Sequence, residues 1–355
     1  MANQEVWSKV HEVKNKHCSI LLQNPHVNYI GVSFKETAGH PTDTPTIQVA
    51  VKRKLPLTKL SDKEKIPSLL DGIPTDVIEG DLHLVKLGDI LTQQLEGMKP
   101  ATAEPSPATV TAKGLTGNVD PFAYSDTITS SMSIAKYSKP MSYGTVGCFM
   151  TVTGSPNLAG ITIGENYLVT CQHVVEGASP SDRIIIPATK TQGRPPQKND
   201  RATYTNGKDS TAPDNVDVAA IELNDGVAFK NEVPTATSKI SFAGVLAGWP
   251  NPGTAVFKYG ATTWYKDGTV NATNVSSGGY DGIMTIDGKK SGSRATVIAD
   301  GGDSGSVFVI TSNSQITGQL FAVNNDTKVS GGYTQAYAYP MNRQLSALAG
   351  SWKLT

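Results

Sequence analysis

Cysteine is scarce in this 355-residue chain, which has only Cys18, Cys148 and Cys171. Three scattered cysteines make neither a disulfide framework nor a zinc knuckle, so reduced, buried thiols are expected. Charge is thin as well. Charged residues make up 17%, and 31 Lys+Arg against 31 Asp+Glu leave no formal net charge. No global field would therefore draw nucleic acid or an anionic membrane. No apolar run approaches the roughly 20 residues of a membrane span. The opening MANQEVWSKVHEVKNKHCSILL mixes charges throughout, unlike a signal peptide with its basic start and apolar core. A cytoplasmic location, without membrane or nucleic-acid partners, is expected. Histidine is sparse too. Of six, His11, His17, His26, His40 and His83 fall early, and none sits at close zinc-ligand spacing with a cysteine or another histidine. No metal and no cofactor is expected.

Glycine (34) and proline (21) are plentiful, which suits many short strands and turns. The length favours two domains. Over residues 3–24, apolar Val6, Val10, Val13, Ile20 and Leu21 or Leu22 recur among charges, the pattern of an amphipathic helix. Alternating runs at 27–34 and 46–51 and a further apolar run from Val77 follow, so residues 1–98 read as a small α/β domain. From 99 to 129 Pro, Ala, Thr and Ser dominate. Such a segment builds no core and reads as a linker or a strap. Residues 130–355 show short apolar runs between turn signals, among them 145–152, 161–170, 217–223, 306–310 and 316–323. That regularity predicts antiparallel strands in a sandwich or a pair of barrels. A closing helix is expected over 342–354.

The chemistry gathers around Gly301-Gly302-Asp303-Ser304-Gly305-Ser306. Glycines beside a serine allow a tight turn, keep bulk off the hydroxyl and let amides converge. The same residue types also close ordinary hairpins, so the run needs a context. A serine nucleophile needs a base, for which imidazole is the usual group. After residue 83 the only histidine is His173, at the end of the apolar run Tyr167-Leu168-Val169-Thr170. The imidazole in turn needs a buried carboxylate on its far nitrogen. Asp217, leading into Val218-Ala219-Ala220-Ile221, is the best candidate, with Asp214 a neighbour better suited to a turn. The chain order His173, Asp217, Ser304 is that of two-barrel chymotrypsin-type enzymes. No histidine follows Ser304, which rules out the α/β-hydrolase order.

With these motifs the chain resembles the trypsin-like serine peptidases over residues 130–345. The matching stretches are Thr170-Cys171-Gln172-His173, Asp217-Val218-Ala219-Ala220 and Gly302-Asp303-Ser304-Gly305-Ser306. More narrowly it is similar to the intracellular plant narrow-leaf-type proteins and their bacterial relatives. That likeness rests on Gly144-Thr145-Val146-Gly147-Cys148, Lys258-Tyr259-Gly260-Ala261-Thr262-Thr263 and Gly318-Gln319-Leu320-Phe321-Ala322, and on an N-terminal block like the leader domain of that group. It departs from that group at Ala261-Thr262-Thr263-Trp264.

The resemblance implies a mainly β fold, a two-barrel chymotrypsin-like peptidase domain preceded by the small α/β domain. It implies a serine endopeptidase acting on protein or peptide, with Ser304 as nucleophile, His173 as base and acid, and Asp217 as orienting carboxylate. Gly302 and Ser304 would supply the oxyanion amides. Ile298, Leu320, Phe321, Ala322 and Val323 would line a pocket for a small or medium apolar side chain. In secreted relatives the acid before the serine pairs with a new N-terminus after zymogen cleavage. No activation-type sequence is evident here, so Asp303 should have another partner and the enzyme should not need that cleavage. Two alternatives stand beside this reading. One is a low-turnover peptide-binding scaffold that forms a homo-oligomer through its N-terminal domain, and the other is a protease acting mainly on its own linker.

Overall fold

The structure is a computed structural model that describes residues 4–37, 40–97, 120–190, 195–209, 215–234, 238–277, 279–291 and 294–355. Most of the expected linker, 98–119, and Asp214 lie outside the described residues.

The chain begins with helix α1 (Gln4–Leu21), whose buried side chains are Trp7, Val10, Val13, Lys14 and Leu21. The expected apolar face was drawn through Val6 and Ile20, but these are 40% and 66% exposed. At about 100° per residue Trp7 lies in line with Val10, Lys14 and Leu21, and its larger surface decides which stripe is buried. This face packs on strands β1 (Val27–Thr37) and β2 (His40–Val51), with Trp7 edge-on to Phe34 at 5.1 Å. β3 (Ile73–Glu79) pairs parallel with β2. The short β4 (Leu84–Lys86) and helix α2 (Leu87–Gly97) leave this sheet.

A first, curled sheet follows, made of β5 (Ser133–Lys136), β6 (Tyr143–Thr145), β7 (Cys148–Val152), β8 (Asn166–Thr170), β9 (Arg183–Ile185), β10 (Asp200–Lys208) and β11 (Val218–Leu223). Residues 120–129 strap it: Arg201 donates to the Ser125 and Asp126 carbonyls, at 2.6 and 2.5 Å.

The second half is a closed six-stranded barrel. Its strands are β12 (Ala255–Gly260), β13 (Trp264–Ser277), β14 (Ile283–Gly288), β15 (Val307–Ile310), β16 (Gln315–Asn324) and β17 (Gln335–Pro340). They run β12-β15-β16-β17-β14-β13 and close by β12 pairing with β13. β13 shifts register twice against β14. Such bulges bend a strand, and the far half of β13 pairs with β1, so the N-terminal sheet continues the second barrel. Helix α3 (Met341–Leu348) and β18 (Trp352–Leu354) close the chain, with β18 paired to β7. The helix expected over 342–354 thus ends at Leu348, where the chain turns extended to supply the edge strand of the first sheet. The sheet order there is β18-β7-β8-β11-β10-β9-β5-β6. The mainly β, two-barrel architecture with a small α/β N-terminal portion is the one expected from the sequence.

Candidate active site

His173 sits in a 3₁₀ turn (Gln172–Val175) just after β8, and Asp217 immediately precedes β11, the neighbour of β8. Both therefore emerge from the first sheet. Ser304 precedes β15 in the second barrel, so the site lies between the two halves. His173 Nδ1 is 2.6 Å from Asp217 Oδ2, and its Nε2 is 2.6 Å from Ser304 Oγ. The His173 amide donates to Asp217 Oδ1 at 3.1 Å, so both carboxylate oxygens are held by the one residue. Burial would raise the Asp217 carboxyl, but the facing imidazole and its hydrogen bonds, with help from Lys86, hold it below its ordinary value. A buried carboxylate of this kind needs such partners.

Helix α3 fixes the acid's backbone. Gln344 accepts from the Asp217 amide at 3.1 Å and donates to the Asp217 carbonyl at 2.8 Å. Its Nε2 also donates to Gln319 Oε1 at 2.8 Å, and Gln319 donates to the Gly305 carbonyl at 3.3 Å. One buried glutamine pair thereby ties the acid's loop to the serine's loop.

The partner of Asp303 is Lys258 from β12. The two are fully buried and 2.8 Å apart. Asp303 also accepts from Thr263 Oγ1 at 2.5 Å and from the amides of Thr262, Thr263 and Asp300 at 2.8, 3.0 and 3.1 Å. Burial pulls the Lys258 ammonium below its ordinary value, opposed by the Asp303 charge. Gly260 makes room for the pair, since a Cβ there would lie 2.2 Å from Asp303 Oδ1.

This network also sets the loop that carries the serine. Thr262 Oγ1 donates to the Gly301 carbonyl at 2.5 Å, and Thr145 Oγ1 to the Gly302 carbonyl at 3.0 Å. In a trans peptide the N–H points opposite to the C=O, so Thr262 turns the Gly302 amide away from itself. Among the described residues the amides of Gly302 and Ser304 have no protein acceptor. Gly302 has φ +92°, and a Cβ there would lie 2.3 Å from Tyr143. Only glycine fits.

The five expected pocket residues are all fully buried. Ile298, Leu320 and Val323 share one apolar cluster inside the second barrel. Phe321 and Ala322 belong to the cluster at the first sheet, where Phe321 stacks on Tyr339 at 4.2 Å. On β16, Leu320 and Val323 thus face one cluster and Phe321 and Ala322 the other, a break in strict alternation that falls where the strand shifts register against β17 between Leu320 and Ala322. Cys18, Cys148 and Cys171 are free thiols. The described residues place one metal-compatible group together, Cys171, His173 and Asp217. Both Asp217 oxygens are taken by His173, the Cys171 thiol donates to the Leu320 carbonyl at 3.2 Å, and burial pushes that thiol well above its ordinary value. The thiol is thereby kept protonated where a metal would need thiolate.

Sequence reasoning missed Lys258, Thr262, Gln319 and Gln344. Lys258 carried a signal: a lysine within Val256-Phe257-Lys258-Tyr259 must be buried with its strand and so asks for an anion. Gln319 had only its place in the family-like stretch Gly318-Gln319-Leu320, and Gln344 carried no signal.

Two barrels with this His, Asp and Ser between them define the chymotrypsin-like class of protein. The chain belongs to the Trypsin family, whose profile matches residues 138–340, and is thereby a trypsin-like serine protease with protein as its substrate class. The chain is similar to solved structures of a Nocardiopsis protease and of Cellulomonas bogoriensis chymotrypsin. Each is 18% identical, covers 64% of this chain and 98% of its own, and has a TM-score of 0.42. A serine protease described as glutamic acid specific is 19% identical, covers 64% of this chain and all of its own, and has a TM-score of 0.45. A comparison with curated proteins finds no match.

Proposed function

We propose that the chain is a serine endopeptidase whose catalytic groups are Ser304, His173 and Asp217. The observation that carries this is the pair of 2.6 Å contacts from one imidazole to a serine hydroxyl and a buried carboxylate. In this reading His173 Nε2 takes the Ser304 proton as Oγ attacks the scissile carbonyl. Asp217 holds the Nδ1–H tautomer and stabilises the imidazolium that forms. The amides of Gly302 and Ser304 receive the oxyanion, an interaction that grows only as charge develops. His173 then gives its proton to the leaving amine, and a water activated by the same ring hydrolyses the acyl-enzyme.

Ile298 stands six residues before Ser304, where by resemblance trypsins carry their pocket acid, so an apolar side chain before the scissile bond is expected in place of Arg or Lys. With Asp303 neutralised internally by Lys258, the serine loop should need no zymogen-type cleavage to take its active shape. We further propose membership of the narrow-leaf-type group, a cytoplasmic location, and the division 1–98, 99–129 and 130–355, with the first part able to support a homo-oligomer. A second reading, a peptide-binding scaffold with little turnover, is favoured by how thoroughly the site is covered. The His173 side chain is only 6% exposed and Ser304 1%.

The test is covalent labelling carried to completion with a fluorophosphonate. An adduct on Ser304, absent from Ser304→Ala, supports the peptidase reading. A protein that acquires no adduct at Ser304 overturns it.

A further inference from the structure

The site is covered by the chain itself. β4 adds antiparallel to the end of β16, with Lys86 opposite Ala322, Val85 opposite Val323 and Leu84 opposite Asn324. One further step in this register sets Leu87 against Phe321. β16 is the strand whose Leu320 carbonyl accepts from the Gly305 amide at 2.9 Å, so β4 runs toward the serine loop. Side chains alternate as on a strand. Val85 and Leu87 join the cluster of Ile298, Leu320 and Val323, with Leu87 fully buried, while Leu84 packs on the opposite cluster with Phe321. Lys86 comes close enough to Asp217 to help hold its carboxyl down. Gly88 then lies on the His173 ring: a Cβ there would be 2.7 Å from Cδ2. The start of the segment is tethered by His83, which bridges Asp81 at 3.2 Å and Asp326 at 2.5 Å, and by the Asn325 amide donating to the His83 carbonyl at 2.7 Å.

Peptides recognised by strand addition take main-chain bonds from the edge and selectivity from pockets that receive alternate side chains. Residues 84–87 make both kinds of contact, with a leucine in the pocket and the following peptide bond at His173. We propose that residues 82–92 are a built-in pseudosubstrate: they hold the full-length chain latent, and they mark leucine as the side chain preferred before the scissile bond. The proposal rests on the peptidase reading above. The segment escapes cleavage because α2 begins at Leu87. The carbonyl of a helix's first residue accepts the amide four residues on, which commits the Leu87 oxygen to Leu91. That agrees with the Gly302 and Ser304 amides having no protein acceptor among the described residues. Thr92 Oγ1 donating to the Gly88 carbonyl at 2.9 Å holds the same turn.

The test uses the full-length chain. Leu87→Glu places a charge within the apolar cluster of Ile298, Leu320 and Val323, and Gly88→Ala presses the segment off His173 while leaving Leu87. Either should raise kcat/KM on a peptide with Leu before the cleaved bond by about tenfold or more, because a tethered competitor acts at a high effective concentration. In a Ser304→Ala background, a fluorescent peptide of the 82–88 sequence should bind about tenfold more tightly once Leu87→Glu is added. Unchanged binding and unchanged kcat/KM in both variants, with Ser304 still labelled by fluorophosphonate, would overturn the proposal and leave the peptidase reading intact. Gained peptide binding with neither turnover nor labelling would support the occupied cleft and overturn the peptidase reading. Cleavage of the wild type between Leu87 and Gly88, seen by mass spectrometry and absent in Ser304→Ala, would overturn the pseudosubstrate.

Discussion

Lys258 is the residue on which the serine loop depends most. It supplies, from within its own strand, the cation that secreted relatives obtain from a new N-terminus. Removing one partner of a buried pair leaves the other charge uncompensated, at about 3–5 kcal/mol. Lys258→Met should therefore lower the stability by about that much and abolish labelling of Ser304 by fluorophosphonate. Lys258→Met/Asp303→Asn should recover much of the melting temperature, since neither charge is then buried alone. Recovery of the single variant's loss by the double variant is the measurement that checks it. The need for such a partner was legible in the sequence, because no activation-type segment precedes the acid. Which cation answers it was decided by β12 running beside β15, a pairing between Val256 and Ile310 and between Phe257 and Val309.

At the scale of an element, α3 does more than close the chain. Its buried face carries Met341, Leu345 and Leu348 into the core, and the same face delivers Gln344 to both backbone groups of Asp217. Gln344→Leu keeps the volume and the helix but strands those groups and Gln319 Oε1, at about 1–3 kcal/mol. Loosening the acid should lower kcat by about 10–100-fold with KM little changed, because substrate contacts are untouched and only the alignment of His173 is lost. A rise in KM with kcat intact would count against this role. A closing helix was legible near residues 342–354. Its end at Leu348 and the return of β18 to β7 were not, since a three-residue strand has no periodicity to read.

At the scale of the whole molecule, the N-terminal sheet is joined to the second barrel along β13. Lys14 on α1 reaches across to Asn274 and Ser276, at 3.3 and 2.5 Å, and His11 stacks on Trp249 at 5.7 Å. Burial, with Lys14 nearby, lowers the His11 pKa from 6.5 to about 4. The unfolded chain therefore takes up this proton first as the pH falls, so the stability is full above about 6.5 and is lost progressively toward about 4. The loss is roughly 3 kcal/mol at most. His11→Phe should flatten that part of the profile, as measured by thermal melts at about pH 4.5 and about pH 7.5.

The sequence by itself determined the β-rich class, the three chemical groups and their order along the chain, because strand runs, turn residues and a lone late histidine are local features. Tertiary structure alone decided how those groups are neutralised and covered. Lys258 meets Asp303, Gln344 meets Asp217, and Leu87 joins the apolar cluster of Ile298, Leu320 and Val323. Each of these contacts joins distant residues through sheet register and helix placement, which no local pattern encodes. The glycine-framed serine is the point where the two meet: its turn is written in Gly301-Gly302-Asp303-Ser304-Gly305, but the direction of its amides is set by Thr262 and Thr145.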